Sequence, residues 1–514
     1  MNGREAEPSA ITARSALQLA RSIRQHELTA GEVVEAHISL HQRVAARVNA
    51  LAADRFELAR REAAAADELL RTAAPDTELP SLLGVPFTVK ESIALTGMPQ
   101  SAGLIAREHH LAPQSAPAVQ RLLAAGAIAL GVTNTSELTL WIESSNRLYG
   151  RTNNPFDPTR TAGGSSGGEG AAVGSGGSPF GLGSDIGGSI RVPALFCGVF
   201  GHKPSSGLVP NTGMYPPTPG TAGRLLGVGP LARRAEDLMA VLRIIAGPDG
   251  SDPVARPIAL GDPATVSIDG LRVVTLEDTS LLPMSRELRD AREQAVGALA
   301  AAGARISRVA LRSWRSALLP FLLTLQSGDE QITLGLLQEA GAKRPTWRTL
   351  LTPGGAHTLP TRLALASELL PQPGDSRGRR RVLARARALA TELTEAIGDG
   401  VLLHPAHPRV APRHGRTVGR PWLITPAAVF NLAGVPVTEV PLGLSQSGVP
   451  LGVQVAAGMD RDHVSIAVAL ELERAFGGWV APTNAQSRGP SDRTRRTRTR
   501  RLSTTGTRFQ GPRR

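Results

Sequence analysis

The sequence predicts an α/β protein built on a large, mostly buried sheet. Helical and strand-like periods alternate along the N-terminal third, and the strand-like runs are apolar and short, as in strands covered on both faces. At 514 residues the chain is long enough for a sizeable core, and 41% hydrophobic against 20% charged residues is ordinary for a globular enzyme. Ala16, Leu17, Leu19, Ala20 and Ile23 recur at helical spacing. Thr29 with Glu32 makes a capping box for a second helix reaching about Val44. A third helix is expected from Asp54 to about Arg71, and the run Leu82–Val89 reads as a buried strand. A helix over Ala116–Ala125 and a strand over Ala127–Val132 follow. Strands at Leu271–Leu276 and Val449–Val455 and a helix at Val464–Phe476 carry the pattern to about Pro482. No linker divides residues 1–482, so one domain is expected. A Leu-rich interval, 314–371, reads equally as helical core or as the wall of a substrate channel.

Charge and cysteine content narrow the function. The net charge of +13 is concentrated in residues 483–514, where ten arginines face the single Asp492. That leaves +4 for the first 482 residues, so a nucleic-acid partner is not required. The tail is poor in apolar residues and is expected to be disordered, either as a solvated extension or as an arm drawn to RNA or membrane. The lone Cys197 excludes an internal disulfide and makes the cytoplasm the default compartment. The N-terminus has no secretory apolar region, and no run approaches the ~20 apolar residues of a transmembrane helix.

Between Gly163 and Gly188, twelve of 26 residues are glycine. Glycine serves where the backbone takes positive φ or another group approaches closely. Gly163-Gly-Ser-Ser-Gly-Gly-Glu-Gly170 and Gly183-Ser-Asp-Ile-Gly-Gly-Ser-Ile-Arg191 frame serines with such positions. Ser189, at a turn ahead of a helix, would let the N–H groups of Ile186, Gly187, Gly188 and Ser189 converge on one oxyanion. A Gly/Ser-rich stretch can equally be a flexible loop. No GxxxxGK[ST] phosphate loop occurs, and GxGxxG fails here. Gly163-Gly-Ser165-Ser-Gly167 does fit the GxSxG nucleophile elbow, but a proline-broken loop precedes it where the elbow needs a strand.

These residues are where the chain resembles the amidase-signature family. The two serine-bearing segments, followed by Phe196-Cys-Gly-Val-Phe-Gly-His-Lys-Pro204, look like the family's long signature. Gly84-Val-Pro-Phe-Thr-Val-Lys90 resembles its upstream lysine element. Spacings of 75 residues from Lys90 to Ser165 and 24 from Ser165 to Ser189 are similar to those of fatty-acid amide hydrolases. Pro210-Asn-Thr-Gly and Pro405-Ala-His-Pro look like the type-2 subgroup. The N-terminal span of the animal enzymes has no match here.

The resemblance implies the amidase-signature fold, a mixed sheet with helices on both faces. It also implies a Ser189 nucleophile, a relay through Ser165, and a neutral Lys90 as base, with a cis Gly164–Ser165 peptide. Lys90 would need burial to lose its proton near neutral pH; otherwise it is an exposed strand-end lysine. Asp185 and Arg191 are expected to support the loop as an ion pair. Ser166 either orients the acyl group or caps the next helix, and Cys197 is expected to be packed. His404, His407 and His414 lack a carboxylate or thiolate cluster at usable spacing, so neither metal nor cofactor is expected. The substrate implied is a small-molecule amide with a hydrophobic acyl group, and the resemblance leaves a homodimer open. Two other readings remain: the amidase component of a tRNA-dependent amidotransferase, and a catalytically silent binding protein on the same scaffold.

Overall fold

Thr29 starts a helix by the reciprocal bonds its pairing with Glu32 predicts. Its hydroxyl accepts the Glu32 N–H at 3.0 Å, and the Glu32 carboxylate accepts the Thr29 N–H at 2.7 Å. In the computed structural model, which describes residues 8–74, 76–218, 220–277, 284–326, 332–352, 354–370 and 376–482, this helix spans Ala30–Val48. It outruns the expected end at Val44 and stops where Asn49 turns left-handed at φ 51°. The arginine-rich tail lies outside the described residues. The expected third helix is present at Phe56–Thr72, and a strand, Leu51–Asp54, precedes it. That strand exists because it pairs with Ile128–Thr133, a distant partner that local periodicity does not record.

Among the described residues eleven strands form one mixed sheet. One half runs, in spatial order, Leu51–Asp54, Ile128–Thr133, Pro86–Lys90, Phe180–Asp185, Gly227–Ala232 and Phe200–Lys203. The other continues Val437–Leu444, Pro450–Ala457, Val401–His404, Arg272–Leu276 and Arg305–Val309. Pro86–Lys90 lies parallel between Ile128–Thr133 and Phe180–Asp185, buried along its whole length. A strand covered on both faces needs no polar alternation, which is why its sequence reads as an unbroken apolar run.

Strand alternation assigns the faces. Val273, Val401, Leu403 and Val455 pack into the cluster that holds Leu19, Leu238 and Ile466 of three helices. Their chain neighbours Val274, Leu402 and Ala456 point the other way, onto Leu389, Leu393 and Phe430. Helices therefore cover both faces, and the glycine-rich segment enters this frame from the strand Phe180–Asp185.

The Leu-rich interval folds as short helices at Leu318–Leu325, Ile332–Glu339, Trp347–Leu351 and Leu359–Leu369. Leu334, Leu337, Leu350 and Leu365 pack on Ala102, Leu104, Leu138 and Tyr215 of the body. Glu137 anchors the last helix, accepting from His357 Nδ1 and Thr358 N–H, each at 2.6 Å. Among the described residues no helix is long and apolar enough to cross a membrane.

Candidate active site

Lys90 ends its strand fully buried, where an amine has little water to share its charge. Nζ bonds Ser165 Oγ at 2.6 Å and Ser184 Oγ at 2.9 Å. Burial draws the amine down to about 7, against the opposing pull of Asp185, Glu169 and Glu91. A large fraction of Lys90 is thus neutral near pH 7, and the exposed-lysine alternative does not describe it. Ser184, the second partner, was not foreseen; alternation along Phe180–Asp185 could have pointed to it.

The peptide Gly164–Ser165 is cis. Gly164 lies so close to a neighbouring loop that a Cβ there would meet Trp141 O and Glu143 N at 2.7 Å. The Ser165 carbonyl accepts from Thr135 Oγ1 and Ser144 Oγ, both at 2.9 Å, so Ser165 sits in a rigid frame. The Ser166 hydroxyl donates to the Ser184 carbonyl at 3.2 Å and does not cap the helix Gly167–Gly174. Its own N–H donates to Ser189 O at 3.2 Å, tying the two serine-bearing segments together.

Ser189 lies in the turn between Phe180–Asp185 and the helix Arg191–Cys197. It is 8% exposed, and its hydroxyl has no hydrogen bond among the described residues. Gly188 makes the turn at φ +112°, where a Cβ would also strike Ala427 Cβ at 2.6 Å. Asp185 is the clasp of this turn, accepting from the N–H groups of Gly188 at 2.8 Å and Ile190 at 3.0 Å. Gly188 is therefore corrected as an oxyanion donor, because its N–H already has an acceptor inside the loop. The N–H groups of Ile186, Gly187 and Ser189 have none among the described residues.

The expected Asp185–Arg191 pair is present and bidentate. Nε meets Oδ2 at 3.0 Å, and a terminal nitrogen meets Oδ1 at 2.9 Å. Arg191 also donates to Ala427 O, Gln454 Oε1 and Asn431 Oδ1 at 2.6–3.0 Å. Burial alone would raise the Asp185 carboxyl, but Arg191 outweighs it and holds the group well below the usual carboxylate range.

Residues 32–464 match the family model described as Amidase. The chain belongs to the amidase family. It is 41% identical to Fatty-acid amide hydrolase 2-B of Danio rerio, over 91% of this chain and 90% of that one. A glutamyl-tRNA(Gln) amidotransferase polypeptide of Deinococcus radiodurans is more distant, at 32% identity over 90% and 97%. Among solved structures, 6-aminohexanoate cyclic dimer hydrolase complexed with substrate superposes with a TM-score of 0.79 at 25% identity, over 92% of this chain and 99% of that one. The protein is thus an amide hydrolase on the amidase-signature fold.

Other predicted side chains of the amidase take structural places. Cys197 is buried beside Ala162 O at 3.4 Å, and burial pushes its thiol up. His404, His407 and His414 each bond a backbone carbonyl, those of Pro405, Arg409 and Pro158. They do not gather with one another or with acids into a ligand set among the described residues.

Glu439, unmarked by any sequence motif, is fully buried, and neither carboxyl oxygen is hydrogen-bonded among the described residues. Burial raises it well above the ordinary value, with Arg191 pulling weakly the other way. In the unfolded chain this carboxyl ionises above about pH 4.3, whereas in the fold it holds its proton to higher pH, so its contribution to stability falls as pH rises past that point. Glu439→Gln should therefore gain in denaturation midpoint over wild type on going from pH 4 to pH 8. Equal differences at both pH values would refute a protonated Glu439.

Proposed function

We propose that the amidase hydrolyses amides of hydrophobic carboxylic acids through an acyl-enzyme on Ser189, with Ser165 and Lys90 moving the proton. The observation that carries this is the 2.6 Å contact between a buried, readily neutral Lys90 and Ser165. Ser189 Oγ forms a bond to the amide carbon while its proton passes to Ser165, and the Ser165 proton passes to Lys90. The oxyanion is held by the N–H groups of Ile186, Gly187 and Ser189, with Gly188 and Asp185 keeping the turn in shape. The C–N bond breaks as the proton returns through Ser165 to the leaving nitrogen, and water then releases the acid by the reverse relay.

Support for a hydrophobic acyl group comes from the Leu-rich interval. The Phe321 ring lies 3.1 Å from where a Gly187 Cβ would stand, so its helix borders the oxyanion loop. The same helix walls a cavity of about 440 Å³ with Leu318, Leu319 and Leu322, faced by Trp314 and Trp422. In this reading the 314–371 interval is a channel wall appended to a single domain of residues 1–482. The relatives named for fatty-acid amides favour the same substrate class. A cytoplasmic enzyme, monomeric or homodimeric, with no nucleic-acid requirement, fits the lone cysteine and the modest charge before residue 483.

Ammonia release from unbranched primary amides of increasing length tests the proposal. Each buried methylene is worth about 0.8 kcal/mol, so kcat/KM should rise about fourfold per carbon until the channel is filled. A flat series would discard the hydrophobic acyl group. Ammonia release only after addition of a partner chain would favour the amidotransferase reading, and none under any condition a silent scaffold.

A further inference from the structure

Of the 57 lysines and arginines only Lys90, Lys203 and Lys343 are lysine, and the first two are buried. An amine can be stripped of its proton by burial where a guanidinium cannot, so what surrounds a buried lysine decides its charge. Three carboxyl groups face Lys90, those of Asp185, Glu169 and Glu91. Asp185 is matched to Arg191. Glu91 accepts the N–H groups of Ser101 and Ala102 and the hydroxyls of Ser101 and Tyr149. Glu169 is different: among the described residues its carboxyl meets neither a cation nor a backbone N–H.

Its place is nonetheless closely built. Thr88 Oγ1 donates to Glu169 Oε2 at 2.7 Å, and Thr133 Oγ1 donates to Oε1 at 2.8 Å. Thr88 is two residues before Lys90, on the same face of its strand. Thr133 is the residue paired with Lys90 on the adjoining strand. Gly181, opposite Thr88 on the other side, leaves the space the carboxyl fills; any side chain there would collide with Oε2. Three strands thus hold one fully buried carboxyl on the face of the sheet that carries Lys90, near enough for each charge to act on the other.

We propose that Glu169 is a positioning residue for the Lys90 relay, its carboxyl being the counter-charge that accompanies each proton Lys90 takes from Ser165 and gives back. The proposal rests on the Ser189–Ser165–Lys90 reading above. Burial raises Glu169 to about 8 and lowers Lys90 to about 7, so near neutral pH the two hold about one proton between them and titrate as a pair. The form that has lost both protons sets a neutral Lys90 beside a carboxylate, and there loss of the carboxylate makes Lys90 a weaker base.

Glu169→Gln keeps the shape and can still bond both threonines. The acid limb of its kcat/KM profile should move down by about 1 pH unit or more, with a lower plateau and little change in KM. Glu169→Asp, which keeps the charge but withdraws it, should fall between wild type and Gln, and it carries the test if the Gln variant does not fold. Independently of activity, protein labelled with [ε-13C]lysine gives three resonances to follow with pH. Lys90 should titrate lower in the variant, while Lys203, whose charged neighbours are Arg191, Asp185 and Asp462, stays in place. An unmoved or upward-moving Lys90 in a folded variant overturns the proposal. Full activity in Lys90→Ala would instead overturn the relay itself, whatever the resonances do.

Discussion

Replacing Ser189 with alanine is expected to lower kcat/KM on an acyl amide by about 10⁴- to 10⁶-fold. It should also abolish covalent labelling by an alkyl fluorophosphonate. The expectation follows from where the hydroxyl sits: in a glycine-shaped turn, 8% exposed, with no hydrogen bond among the described residues to hold it away from a substrate. Three backbone N–H groups around it have no acceptor among the described residues, an arrangement suited to charge that develops only during reaction. Lys90→Ala should cost a comparable factor, because an unactivated serine hydroxyl is a poor nucleophile. The double variant should be scarcely worse than either single one, since the groups act as a unit. Peptide mapping of the wild-type adduct is the decisive measurement. An adduct on Ser165 would revive the nucleophile-elbow reading of Gly163–Gly167, and activity surviving in Ser189→Ala would end the present one.

How much of this was legible in the sequence depends on whether the physics was local. The capping box at Thr29 and Glu32 needs only residues three apart, and it stands where it was expected. The strand Leu51–Asp54 was missed because its pairing partner lies beyond residue 127. The serine-bearing segments were legible through their glycines, each close approach leaving a residue that tolerates no side chain. Which N–H groups remain free was not legible, since the bond from Gly188 to Asp185 depends on how the turn closes. Glu169 and Ser184 lie inside the serine-bearing segments without any spacing that marks their contacts, and Glu439 lies in no motif. Alternation along Pro86–Lys90 hints that Thr88 and Lys90 share a face, but only the folded sheet places Glu169 beside them.

Arg191→Ala is expected to be the most destabilising single change near the site, costing about 3–5 kcal/mol. Both members of the Asp185–Arg191 pair are completely buried, so removing the guanidinium leaves a carboxylate in a medium that solvates it poorly. Ala427 O, Gln454 Oε1 and Asn431 Oδ1 lose a donor at the same time. Arg191→Lys should recover little, because an ammonium cannot span the Asp185 fork and reach the other three acceptors at once. Asp185→Asn combined with Arg191→Met removes both charges and should be less destabilised than Arg191→Ala alone. The readout is the midpoint of urea unfolding together with kcat. Asp185 also fixes the N–H groups of Gly188 and Ile190, so the double variant should regain stability without regaining turnover. A loss below about 1 kcal/mol in Arg191→Ala would mean the turn is held by Gly188 and its packing against Ala427 rather than by charge. Recovery of turnover in the double variant would mean that Asp185 serves the fold and not the shape of the turn that carries Ser189.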